Sequence, residues 1–357
     1  MLTITSNSSL PGFSTPARYS VANGATLVVS NAVIDADIAS MLGTTNFAAG
    51  AAIGFDTPTT RTYSSNITDT SQGALGLTKL GSNVLTLTGN NSYTGTTTIN
   101  AGTLSINGNS TTTLSGQITG AGQFRQSVGG IAGSLTINND ANDFTGQFSA
   151  EGAYGSKVFF TSIADFGTAS ALGKGTAGTA ISFNHGWLVY TGTNSSSSNR
   201  TWRADNSAVI ENSSATGVLT LSGNFAQNST NGTFTLRGSN TGANTFAGSI
   251  SANVSGAGSL LNLAKDGSGR WILSGNNSYT GNTTVSGGIL QFAKTASLYN
   301  GTAASWTTSN ITVNSGATLA LNVGGAGEFS TGNVTTLLTN LGGLGGAVNN
   351  NGLRSGS

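Results

Sequence analysis

A chain of 357 residues with 53 glycines, three prolines and no cysteine has no disulfides, thiolate metal ligands or cysteine nucleophiles. Its formal net charge of +1, with 13 Lys and Arg scattered singly, argues against nucleic acid and anionic lipid as partners. Charged residues are only 7%, yet 36% of residues are hydrophobic and fall in short periodic runs, which points to a folded all-β chain rather than a disordered one. No apolar stretch is long enough to span a membrane, and the residues after Met1 lack the basic start and apolar run of a secretory signal. No membrane insertion by this chain is therefore expected.

In chain order, the first pattern is Tyr19-Ser20-Val21 followed by Gly24-Ala25-Thr26-Leu27-Val28-Val29. After it, Asp37-Ile38-Ala39-Ser40-Met41-Leu42 predicts one short helical turn, with Asp35 and Asp37 as its caps. Leu75-x-Leu77, Val84-Leu85-x-Leu87 and Leu104-x-Ile106 then alternate apolar with polar, the signature of short strands with one face inward. Gly-Asn, Asn-Asn and Ser-Gly pairs between them are read as turns that need a positive φ. Residues 72–106 hold Lys79, Gly89, Asn91, Tyr93 and Gly95. Residues 134–148 repeat the form weakly, with Asn142, Phe144 and Gly146, and Asp140 and Asp143 read as turn residues.

Further along, Trp187, Tyr190, Trp202 and Arg203 form the richest polar-aromatic stretch. Aromatic rings beside charged groups suit sugar binding, while the alternation of the stretch also fits core aromatics at a bulge. The one histidine, His185, precedes Gly186 and reads as a turn residue. A second weak copy covers 217–250. The second clear copy covers 258–292, where Gly275-Asn276-Asn277-Ser278-Tyr279-Thr280-Gly281 reproduces residues 89–95 letter for letter. Lys265 matches Lys79 at the same offset of 186 (265 − 79), and its stem is expected to cover apolar surface with the head in water. Finally, Ile311-Thr312-Val313, Gly316-Ala317-Thr318-Leu319 and Asn333–Leu338 echo the opening of the chain, and Leu341–Gly346 offers no polar cap.

Strands this short need copies of themselves beside them, which a parallel β-helix supplies. The expectation is a single continuous β-solenoid over residues 1–357, with short strands and Gly/Asn turns. The run Leu77, Lys79, Gly81, Leu85, Leu87, Gly89, Asn91, Tyr93, Gly95, Ile99, Gly102, Leu104 and its counterpart from Leu263 to Leu290 resemble the autotransporter-associated β-strand repeat, also called the passenger-associated transport repeat. The first copy departs from that pattern at Asn83 and Ile99. The resemblance implies a right-handed parallel β-helix displayed outside a bacterial cell. The family's membrane barrel would show long alternating strands with aromatic girdles, and nothing near Ser357 does.

These residues point to a non-enzymatic structural protein that builds a surface fibre by joining copies head to tail. The low charge gives little resistance to self-association. The second reading is an adhesin that binds cell-surface polysaccharide through the Trp187–Arg203 stretch. The third is a polysaccharide hydrolase or lyase, which the scattered positions of the 12 acidic residues disfavour. No cofactor and no metal is expected.

Overall fold

The computed structural model describes residues 2–107, 109–127, 133–152, 155–229, 231–252, 260–342 and 353–356. The described chain is an all-β parallel solenoid of about 12 turns. It groups into two compact units, Met1–Thr179 and Ala180–Ser357. The Gly343–Gly346 part of the uncapped run and residues 258 and 259 of the second clear copy lie outside the described residues.

In unit 1, one sheet runs through the strands Leu2–Ile4, Thr26–Val29, Ala52–Asp56, Gly76–Leu80, Thr97–Ile99 and Ile118–Thr119. A second contains Arg61–Tyr63, Val84–Leu87, Thr103–Asn107, Gln123–Ser127 and Phe148–Glu151, and a third Thr111–Leu114, Ser134–Ile137 and Lys157–Phe160. Every pair is parallel, so each residue stacks on its equivalent one coil away. Leu27, Ile53, Leu77, Thr97 and Ile118 form one such inward row. The alternation that defines the strands decides which residues enter the row, and the four apolar members are each 3% exposed or less. Burying a Leu, Ile or Phe side chain in this way stabilises by about 1.5–3 kcal/mol.

Unit 2 is built alike. Ile181–Asn184, Trp202–Ala204, Phe225–Gln227 and Ile250–Ala252 form one face. Gly186–Tyr190, Ala208–Asn212, Asn231–Gly238, Leu260–Lys265, Thr283–Val285 and Ile311–Val313 form the next. The third runs from Ser196–Ser198 through Leu219–Leu221, Asn244–Phe246, Arg270–Leu273, Ile289–Phe292 and Thr318–Asn322 to Leu353–Gly356. Coil length varies: Leu263 meets Thr283 after 20 residues (283 − 263), whereas Ile289 meets Thr318 after 29 (318 − 289). The longer coil carries three short 3₁₀ turns between Thr295 and Ser305 and buries Trp306 against Phe329, ring centroids 5.7 Å apart.

The two segments that echo each other fold alike. Each has a left-handed glycine, Gly24 (φ 74°) or Gly316 (φ 81°), then a strand, then a helix. The helices, α1 (Asp35–Leu42) and α2 (Thr331–Asn340), are two turns or more rather than one. Asp35 and Asp37 do not cap α1: Ile34 holds the N-cap position, with no side-chain hydrogen bond there. Asp35 is drawn away by Arg61, whose side chain is 7% exposed and whose guanidinium lies 3.0 Å from it. In α2, Ser330 is the cap, its hydroxyl accepting from the Asn333 amide at 3.1 Å.

Candidate functional site

Each clear repeat spans two successive rungs and stacks on itself. Leu77, Thr78 and Lys79 pair with Thr97, Thr98 and Ile99, as Leu263, Ala264 and Lys265 pair with Thr283, Thr284 and Val285. On the neighbouring face Leu87 meets Ile106, as Leu273 meets Phe292. The two lysine heads are not in water, contrary to expectation: both residues are 0% exposed. Lys79 Nζ donates to the carbonyls of Leu80, Gly81 and Ala101 at 2.7, 2.8 and 3.0 Å. Lys265 Nζ does the same to Asp266, Gly267 and Gly287 at 2.8, 2.7 and 3.0 Å. Left-handed Gly81 and Gly267 (φ 73° and 74°) follow two residues after each lysine. The corner therefore gathers three acceptors, from two coils, around one three-donor cation. Burial pushes both ammonium groups down to about 8, against the opposing pull of Asp56 and Asp266.

Asn91 and Asn277 are buried and knit coils through their amides. Asn91 Oδ1 accepts from Ile67 N at 2.9 Å, and its Nδ2 donates to Gly89 O at 2.7 Å. Asn277 Oδ1 accepts from Ile250 N at 3.0 Å and its Nδ2 donates to Ser297 O at 2.8 Å. Asn142 and Asn244 in the weak copies bond to the coils on both sides as Asn277 does, to Ile118 and Ala171 and to Leu219 and Arg270. Asn244–Phe246, however, pairs with Trp271–Leu273, not with the Asn277–Tyr279 segment its letters resemble. Tyr93 and Tyr279 are equivalent: their hydroxyls meet Thr97 and Thr283 at 2.9 and 2.8 Å, and burial raises both above the ordinary phenol range.

The repeat glycines serve a different need from the one their turn-like setting implies. Gly89, Gly95, Gly275 and Gly281 have no positive φ. A Cβ on Gly89 would stand 2.6 Å from the Ser65 carbonyl oxygen, one on Gly95 2.5 Å from that of Leu75, and one on Gly281 2.7 Å from that of Leu261. On Gly275 it would collide with the carbonyl of Gly248. Backbone approaches backbone here, and a side chain would wedge the coils apart.

The four aromatic and basic residues read as a sugar platform do not share one face. Tyr190 and Trp202 face the core at 0% and 2% exposure, and the Trp202 ring stacks on Phe183 with centroids 6.1 Å apart. Arg203 lies on the outer side of that sheet, 3.5 Å from Asp205. Left-handed His185 (φ 57°) turns the corner to the next sheet, where Trp187 points outward because Leu188 and Tyr190 take the inward positions. Trp187 instead meets residues that local sequence did not indicate. Its Nε1 donates to Glu211 Oε2 at 2.8 Å, and the Arg237 guanidinium lies 4.7 Å from its ring centre. Arg237 in turn pairs with Asp266 at 3.2 Å. Acid, base and acid thus follow one another across three coils beside an indole, a surface able to offer hydrogen bonds and a ring edge to a polar ligand.

Two of the acids are engaged by hydroxyl and amide donors. Asp140 accepts from Thr161 and Ser162 at 2.6 and 2.7 Å in a turn. Asp69 is held below the usual carboxylate range: burial pushes it up, and hydrogen bonds from Thr94 and Leu75 more than offset that. Among the described residues no three His, Cys, Asp or Glu come together as a metal site, and no helix is long and apolar enough to cross a membrane.

Comparison with known proteins places the passenger-associated transport repeat at residues 77–106 and 263–292. The chain is also similar to the adhesin BmaC autotransporter of Brucella suis biovar 1 (strain 1330), 33% identical over 346 residues. That likeness covers 79% of this chain and 10% of the relative's length. No solved structure matches.

Proposed function

We propose that this chain, which carries two passenger-associated transport repeats, is a non-enzymatic, adhesin-like passenger segment displayed on a bacterial cell surface. The observation that carries the reading is the use made of the repeat's polar residues. Lys79, Lys265, Asn91 and Asn277 are spent on backbone groups of adjoining coils, which builds a scaffold. Its similarity to an autotransporter adhesin supports the surface location. The test is made in the full-length protein in its own cells. Deleting the segment in frame is expected to reduce attachment, and an epitope in the exposed turn at Thr59 to be reached by antibody on intact cells. Undiminished attachment, or an epitope found only after lysis, counts against the proposal.

Two finer elements belong to the same proposal. Binding of cell-surface polysaccharide is centred on Trp187, Glu211, Arg237 and Asp266, whose exposed charges (Arg237 39%, Asp266 43%) favour it. A glycan array with wild type and Trp187→Ala tests this, and equal signals would remove it. Joining of copies head to tail is favoured by the net charge of +1. Sedimentation at rising concentration tests it, with an unchanging monomer as the contrary result.

A further inference from the structure

In each unit one sheet stops at a coil where a helix follows instead of a strand. In unit 1 the strand Arg61–Tyr63 pairs with Val84–Leu87 and is the last of its sheet. One coil earlier the adjoining sheet continues, since Thr26–Val29 pairs with Ala52–Asp56, but the chain beyond Val29 forms α1. In unit 2 Ile311–Val313 is the last strand of its sheet, and α2 is the element that follows Thr318–Asn322.

An open strand edge is a row of amides and carbonyls ready to take another strand, and a covering helix is one way to close it. The contact in unit 1 has that form in atomic detail. The Ser64 amide, just past the strand, donates to Asp35 Oδ2 at 2.9 Å, and the Ser64 hydroxyl donates to the same oxygen at 3.0 Å. A carboxylate oxygen stands where a neighbouring strand would place a carbonyl. Arg61 fixes it there. Its Nη1 donates to Ser30 O at 2.8 Å, and its Nη2 to Val33 O at 2.6 Å and Asp35 Oδ1 at 3.0 Å. Ile38 and Met41 seat the helix in the core at 0% and 1% exposure. Amides alternate sides along a strand. With Ser64 N–H aimed at α1, Thr62 N–H is aimed there too, while the Tyr63 carbonyl faces the other way and accepts from Thr88 N at 3.0 Å.

We infer that α1 is an edge guard held by the Asp35–Arg61 clamp, and that releasing it opens the Arg61–Tyr63 edge to a strand from a second copy of this chain. A second copy fits the edge because Arg61 and Tyr63 turn inward around an exposed Thr62, the in-out-in form of the chain's own strands. Between copies a net charge of +1 gives almost no repulsion. The clamp is thus what keeps this edge from pairing.

The test compares wild type, Asp35→Ser and Asp35→Ser/Thr62→Pro by sedimentation velocity over a concentration series, with amide exchange across residues 35–42 and at Ser64. Asp35→Ser is expected to exchange faster at α1 and to show a steeper rise of sedimentation coefficient with concentration than wild type. Thr62→Pro removes an edge donor, as prolines do on edge strands, and is expected to return the slope to the wild-type value. Sedimentation of Asp35→Ser like wild type overturns the inference whether α1 stays protected or frays. Association that survives Thr62→Pro places the contact elsewhere and overturns it too. If Asp35→Ser loses strand content by circular dichroism, Arg61→Lys, which keeps the charge but loses the forked grip, supplies the same comparison.

Discussion

At the scale of single residues, the inward rows and the lysine corners carry different kinds of stability. Leu273 is 0% exposed between Phe246 and Phe292, so Leu273→Asp buries an unpaired charge and should cost several kcal/mol, on the order of 3–5. An unchanged thermal melt would show that the row is not core. Lys265→Met leaves three buried carbonyls without their donor, a loss of about 1–3 kcal/mol measurable by denaturant titration. The same lysines give a pH signature. An unfolded lysine keeps its proton to 10.5, whereas Lys79 and Lys265 hold theirs to about 8. Between those values the unfolded chain binds more protons, so this contribution to stability rises with pH. The tyrosines act in the opposite sense: burial moves Tyr63 from 10.0 up to about 12, and Tyr93 higher still. Above pH 10 the folded chain therefore binds more protons and stability falls. Melting temperature should climb from pH 8 to about 10 and then drop, and Lys79→Met/Lys265→Met should lose the climb but keep the drop.

At the scale of elements, the close passage of one coil over the next explains why the repeat motif is rich in glycine. Gly275→Ala is expected to destabilise by more than 1 kcal/mol, because its methyl meets the fixed Gly248 backbone. Gly332→Ala in α2, with only the Ser330 hydroxyl at 3.6 Å, should stabilise slightly, by about 0.5–1 kcal/mol. Equal melting shifts for the two would refute the backbone-contact explanation. The sequence made the strands legible because period-two alternation reports directly on which side chains enter a row such as Leu27, Ile53 and Leu77. It also made Tyr93 and Tyr279 equivalent, since identical letters at one offset occupy identical places. Coil length was not legible. Trp187 to Val209 takes 22 residues (209 − 187) and Val209 to Thr235 takes 26 (235 − 209), so no fixed period leads from Trp187 to Glu211 or Arg237. The lysine heads escape the sequence for a related reason: a long cationic side chain normally reaches water, and only the folded corner reveals three carbonyls waiting for it. Asp35 reads as a cap in the sequence because its partner Arg61 lies a whole coil away.

At the scale of the molecule, each unit is held by contacts between successive coils, so stability is a sum of neighbour terms rather than one indivisible core. The absence of cysteine leaves no disulfide between coils. A consequence follows for load. Strands lie across the stacking direction and their hydrogen bonds along it, so pulling on the chain peels one coil at a time instead of shearing a whole sheet. A 20-residue coil such as Leu263 to Thr283 would release about 70 Å of extended chain. The 29-residue coil between Ile289 and Thr318 would release about 100 Å. Single-molecule stretching should therefore give a staircase of small, unequal steps at modest force, each step measuring one coil. A single cooperative rupture would contradict it. A segment that yields in this way would lengthen under load and rewind when the load is removed, as a spring does.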